Sequence, residues 1–176
     1  PVQDELEKYK NLFSKPQFYH FSNYVTGLIV ENHSWTINNM NKLFLENKDQ
    51  SSLNRFLTKS PWDVDKLTTK RMKIIDQSPK TKTREEGVLI LDDTVHPKTG
   101  KKMEGVGWHH YNNPSSDKKF TFGHSVVSAH YADNDKEYPI SPEVYVKKES
   151  AGDKFKTKIE LGIELITDAV KKYRVR

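Results

Sequence analysis

The sequence predicts a mixed chain of the α+β or α/β class: a helical N-terminal domain, then antiparallel strands and a closing helix. Three observations carry that prediction. Through residues 1–77, apolar residues recur at steps of three and four, the period of a helix with one buried face. A polar stretch marked by proline and glycine, SPKTKTREEG, interrupts the pattern at 78–87. Beyond it the chain is rich in β-branched and aromatic residues separated by turn signals.

The helical part divides at its punctuation. Residues 3–13 form one segment and 17–30 the next, separated by Pro16, with Phe18, Phe21, Val25 and Leu28 as an inward stripe. Ser34 is placed to cap a third helix running to about Leu45, with Ile37, Met40, Leu43 and Phe44 inward. SSLNRFLTK (51–59) follows a polar turn as a short helix. In PWDVDKLTTKRMKIIDQ (61–77), Ser60 suits the cap, Pro61 the first helical position, and Asp63 and Asp65 the first turn, where the helix dipole favours acids. The expected organisation is a helical domain at 1–77, a linker at 78–86 and a second domain at 87–176.

In the second domain GVLILDD is apolar on both faces and reads as a central strand. VGWHHY (106–111) is a short strand and KFTFGHSVVSAHY (119–131) a long one. ADNDKE is a hairpin turn, and YPISPEVYVKK (138–148) returns as a strand whose prolines mark an edge or a bulge. DKFKTKIELGIELITDAVKKY closes the chain as an amphipathic helix with Ile159, Ile163, Ile166 and Val170 on one face. An α/β sheet continues with a parallel strand after such a helix. None follows in this sequence, so the fold is expected to be cut short.

The totals narrow the function classes. A chain of 176 residues, 34% hydrophobic and 30% charged, suits a polar folded protein of one domain or a small pair. No apolar run approaches the ~18 residues of a membrane span, and PVQDELEKYK has no signal-peptide core. The absence of cysteine excludes disulfides and thiolate metal sites and fits an intracellular, cytoplasmic setting. The net charge is +5, yet nine Lys/Arg against three Asp fall between Leu53 and Arg84, a concentration suited to a polyanion. A solvated helix face explains the same charges without a partner.

The chemistry is signalled where Val88–Leu91 run into Asp92 and Asp93. Unpaired carboxylates are costly to bury, so a strand ending in two of them suits a bound cation. Side chains alternate along a strand, which sends the two acids to opposite faces and leaves open which of them is the ligand.

LILDDTVHPKTGKKMEGVGWHHY, HSVVSAHYADNDKEYPISPEVYVKK and SSLNRFLTKSPWDVDKL together resemble insertion-sequence transposases of the DDE superfamily. The first is similar to their first catalytic strand, the second to the hairpin after it, and the third to the helical region ahead of the catalytic domain. The resemblance implies an RNase H-like catalytic domain, of which residues 87–176 are the first half, ending before the second catalytic strand. It implies metal-dependent DNA strand cleavage and transfer, with three carboxylates holding two Mg²⁺ (or Mn²⁺) ions in the complete protein. It places the first carboxylate immediately before Thr94, so Asp93 is the metal ligand and catalytic residue, with Asp92 beside it. The other two carboxylates are not found here, so this chain alone is expected to be inactive.

The implied partners are transposon-end DNA and either further copies of the chain or a complementing C-terminal half, at the nucleoid. Lys98, Lys101 and Lys102 beside the acidic strand end are candidate phosphate contacts. So are Arg55, Lys59, Lys70, Arg71 and Lys73 in the basic stretch, where residues 34–59 also fit a helix-turn-helix reader. The competing reading is a non-catalytic DNA-binding or interaction module in which the acidic pair is structural. The histidines do not assemble a zinc site: His109 and His110 alternate, and His124 and His130 lie ~20 Å apart along a strand. His96 is read as a loop residue, and Trp35, Trp62 and Trp108 as core or interface.

Overall fold

The computed structural model describes residues 2–31, 36–44, 50–111, 117–173 and 175. The expected cap at Ser34, the role of Trp35 and most of the polar stretches expected as a turn at 46–50 and a loop at 111–118 lie outside them. Among the described residues there are seven α-helices and an open antiparallel sheet of four strands, the architecture of a partial RNase H-like fold. The chain divides into two compact units, 1–70 and 71–176.

The first unit holds α1 (Val2–Glu7), α2 (Lys15–Val30), α3 (Ile37–Lys42), α4 (Gln50–Lys59) and the beginning of α5 (Val64–Gln77). Pro16 does not separate α2 from what precedes it but sits in its first turn, behind a Ser14–Gln17 capping box. Proline is tolerated there because that N–H has no intrahelical partner. α3 is capped by Thr36, whose hydroxyl accepts from Asn39 N. α5 starts three residues later than the sequence suggests, because the Asp63 carboxylate accepts from Lys66 N at 3.0 Å and Pro61 and Trp62 stay outside the helix. Leu6, Phe18, Phe21, Leu53 and Phe56 form the core. Trp62 joins it, stacked on Phe56 and donating its indole N–H to Phe56 O at 3.1 Å. Leu28 and Leu43, expected inside, are exposed.

In the second unit the sheet is built around β3 (Phe120–Ala132) rather than β1 (Val88–Pro97). β1 lies along one edge of β3, Val88 opposite Ala132 and Pro97 opposite Gly123. β2 (Gly107–His110) and β4 (Glu137–Tyr145) share the other edge. The double-sided apolarity of GVLILDD is therefore not that of a strand paired on both edges: β1 has no second partner among the described residues, and Val88, Ile90 and Leu91 are exposed. β1 also runs past the acidic pair, which places His96 in the strand, opposite His124.

The prolines of β4 do mark a bulge. The register jumps between Ala129 and His130, opposite Ser141 and Pro139, so Ile140 is left out of the ladder. Its carbonyl is taken by the Arg71 guanidinium. α6 (Lys148–Ala151) is one turn, and α7 (Lys158–Thr167) crosses the sheet. Leu161 and Leu165 are its buried stripe, continued by Ala169 in the turn of π-helix that follows (Asp168–Lys172), against Val127, Ala129, Tyr131 and Ile140. The stripe expected inside, Ile159, Ile163, Ile166 and Val170, is the exposed one. The helix is apolar on two sides, and period alone does not say which side meets the sheet.

Candidate active site

Strand pairing shows which face of the sheet each of the two acids takes. Leu89, Leu91 and Asp93 oppose Tyr131, Ala129 and Val127, all buried positions of β3 that pack in the core with α7, so Asp93 stands on the face covered by α7. Asp92 opposes Ser128 on the other face, with exposed Val88 and Ile90. Its carboxylate turns back to accept from Asp93 N at 2.9 Å, bracing the middle of β1.

Between β1 and α7 runs an open groove of about 430 Å³, floored by Leu91 and Val127 and walled by Ile159, Ile163 and Ile166. Gly162 faces Leu91 across the groove, where a Cβ would meet Leu91 Cδ1 at 3.8 Å, an ordinary van der Waals contact. Asp93 is at the end of the groove where α7 begins. That beginning is fixed by a capping box in which Thr157 Oγ1 accepts from Glu160 N at 3.2 Å and Glu160 Oε2 accepts from Thr157 N at 2.7 Å. These bonds, led by the one from the Thr157 backbone, hold the Glu160 carboxyl below its ordinary range.

The first residue of the helix, Lys158, is thereby aimed at the sheet. Its ammonium pairs with Asp93 Oδ2 and lies 5.6 Å from the Tyr145 ring centroid. No sequence signal singled out Lys158, because its partner is 65 positions away. Both side chains remain open to water, 37% and 47% exposed, so the pair is a displaceable surface contact.

The carboxylate oxygens of Asp93 suit a hard divalent cation. The donor number is short: among the described residues no three His, Cys, Asp or Glu side chains converge. The groove is lined by Asp93 and, beside it, Asp92, whose Oδ1 accepts from Asp93 N; two carboxylates do not complete a metal site, and further ligands come from elsewhere.

Among the candidate cationic contacts, Lys98, Lys101 and Lys102 are exposed between β1 and β2, and Lys98 N donates to Phe122 O at 2.8 Å. Arg55 and Lys59 are exposed on α4, Lys73 is exposed on α5, and Lys70 is half-buried. Arg71 is committed to the Ile140 carbonyl and is a structural residue. His109 is buried against Tyr145, and burial, followed by the charges of Lys147 and Lys158, pushes its imidazole below the ordinary value. Trp108, expected in the core or at an interface, is 61% exposed and so is not a core residue.

The family model described as a DDE superfamily endonuclease matches residues 9–172. The chain is 32% identical over 169 residues to a protein of Microchaete diplosiphon described as a probable transposase for insertion sequence element IS701. That alignment takes in 94% of this chain and 42% of the relative, so the chain spans under half of its relative's length. No solved structure matches. No helix among the described residues is long and apolar enough to cross a membrane.

Proposed function

Because this chain belongs to the DDE superfamily endonucleases, we propose that it is the N-terminal portion of a DNA transposase, with Asp93 the first metal-binding carboxylate of the complete enzyme. The observation that carries the reading is the placement of Asp93: on the α7 side of a strand, at the end of a groove, yet 47% exposed. A carboxylate fixed on a strand holds a cation more rigidly than one on a loop. Bound there with its remaining ligands, Mg²⁺ or Mn²⁺ would supply activation of the attacking oxygen and stabilisation of the leaving one.

The chain's own residues do the rest. Asp92 braces the backbone under Asp93. Lys158 orients the Asp93 carboxylate and gives it up when a divalent cation arrives. Lys98, Lys101 and Lys102, with Arg55, Lys59, Lys70 and Lys73, contact DNA phosphates, which makes affinity fall steeply with salt. The unpaired edge of β1 and the Ile159–Ile163–Ile166 stripe receive the remaining half of the catalytic domain or, failing that, a second copy, since an open edge and an apolar helix face invite association.

Nicking of supercoiled DNA by the full-length protein tests the assignment. Asp93→Asn should lower divalent-dependent nicking beyond the roughly 10–100-fold that outer-shell groups cost, and Asp92→Asn should stay within that range. The reverse order overturns it. The Asp93–Lys158 pair itself favours a second reading, in which the carboxylate is structural. Lys158→Met separates the two. It should tighten Mn²⁺ binding up to about five-fold if Lys158 competes with the cation, and leave binding unchanged while lowering stability if the pair is only a brace.

A further inference from the structure

The face of the sheet turned away from α7 carries a second cluster that the groove does not use. Trp108 opposes Phe122 and His110 opposes Phe120 across β2 and β3. These β3 positions alternate with the core-facing ones, so all four rings share the outer face. Trp108 meets Phe122 edge to face with centroids 5.7 Å apart, and His110 meets Phe120 the same way at 5.5 Å. Neither of the two leading rings is covered, for Trp108 is 61% and Phe120 58% exposed.

Cations surround them. Lys98 N bonds to Phe122 O, which puts Lys98 on the opposite flank of Phe122 from Trp108. The segment from Lys98 to Val106 then crosses from one edge of β3 to the other, passing over His124, whose Nε2 bonds Glu104 O at 2.8 Å. It carries Lys101 and Lys102, both exposed. The chain leading into β3 adds exposed Lys118 and Lys119, and Tyr111 N donates to Lys119 O at 2.9 Å. Five lysines thus face two acids, Glu104 and Asp117, in the segments that frame the rings.

That composition selects the occupant. Protein interfaces favour aromatics but are depleted of lysine. Exposed rings set among lysines match single-stranded nucleic acid, whose bases stack on the rings while its phosphates meet the ammonium groups. A duplex keeps its base faces stacked inside and has nothing to offer Trp108.

We propose that the outer face of β2 and the start of β3 binds a single-stranded segment of nucleic acid, with bases stacked on Trp108 and Phe120 and phosphates held by Lys98, Lys101, Lys102 and Lys119. The site is independent of Asp93, so Asp93→Asn leaves it intact and its failure is separate from that of the catalytic reading.

Fluorescence anisotropy of a labelled dodecathymidylate, titrated with the whole chain, tests it against an abasic oligomer of equal phosphate number and against duplex. Trp108→Ala should weaken dodecathymidylate binding about five- to hundred-fold, the range for loss of a stacked base. Trp108→Phe should restore most of it, and abasic binding should be untouched. A thermal melt of each variant checks the fold, which an exposed side chain should not disturb. An equal loss on the abasic oligomer overturns the proposal, as does a Trp108-sensitive preference for duplex. So does unchanged dodecathymidylate binding, above all if Trp108→Ala instead abolishes self-association in sedimentation, which makes the face a protein interface.

Discussion

Replacing Tyr131 with Phe removes one oxygen from the fully buried centre of the second unit. That hydroxyl accepts from Arg84 N at 2.7 Å and donates to Asp133 Oδ2 at 2.7 Å. It ties the chain just before β1 to the turn after β3, and so helps hold the register that puts Asp93 on the α7 face. A slip of one residue would turn every side chain of β1 to the other face. The magnitude follows from the partners. The bond to a carboxylate is worth about 1.5–3 kcal/mol and the bond from a backbone N–H about 0.5–1.5 kcal/mol. Asp133 is not stranded, because Lys136 Nζ and the backbone N–H groups of Asp135 and Lys136 still reach it. The expected loss is therefore toward the low end, about 2–3 kcal/mol, or a drop in melting temperature of about 8–20 °C for a unit of this size. Tyr138→Phe is the control. Tyr138 stacks on Tyr131 at 5.2 Å, and burial pushes its phenol up to about 12. Its buried hydroxyl has no hydrogen-bond partner among the described residues, so deleting it should be neutral or stabilising. Calorimetry and near-ultraviolet circular dichroism of both variants measure the difference. If Tyr131→Phe melts with the parent, or below it by no more than Tyr138→Phe does, the clamp is not what holds β1.

Gly123→Ala should cost about 1–3 kcal/mol, read as a lower urea midpoint, because its Cβ would fall 2.1 Å from His96 O and 3.0 Å from Pro97 Cα, backbone that cannot move aside cheaply. His109 gives a pH signature. Its folded pKa lies below the ordinary 6.5, mainly through burial, so the unfolded chain takes up the proton first. Its contribution is intact above that value and is lost as pH falls from 6.5 toward the lowered folded pKa. The urea midpoint should drop between pH 7.5 and 5.5, and His109→Gln should flatten the drop; an equal slope in both proteins refutes the assignment.

The two acids show where sequence reading stops. Alternation established that Asp92 and Asp93 part to opposite faces, but only the pairing of Asp93 with Val127 said which face is covered. The same limit reversed the closing helix. Ile159, Ile163 and Ile166 have the right period, yet Leu161, Leu165 and Ala169 have it too, and the latter pack on the sheet. For Trp108 the sequence left core or interface open, and the structure removes only the core, since aromatic character predicts burial only when the neighbouring strand presents that face to a core.

By itself the sequence determined the order of helices and strands, the β3–β4 hairpin, an edge or bulge at the prolines, the family, and the acidic pair of β1 as the place to look, although β1 runs on past that pair to Pro97. These are properties of local period, turn chemistry and short motifs, which residues near one another in the chain carry together. The tertiary structure alone decided that β3 is central, that Lys158 meets Asp93 across 65 residues, that Arg71 serves the Ile140 carbonyl, and that Trp108 is left in water among lysines. Each of these depends on which faces meet across long sequence separations, and no periodicity along the chain encodes that choice.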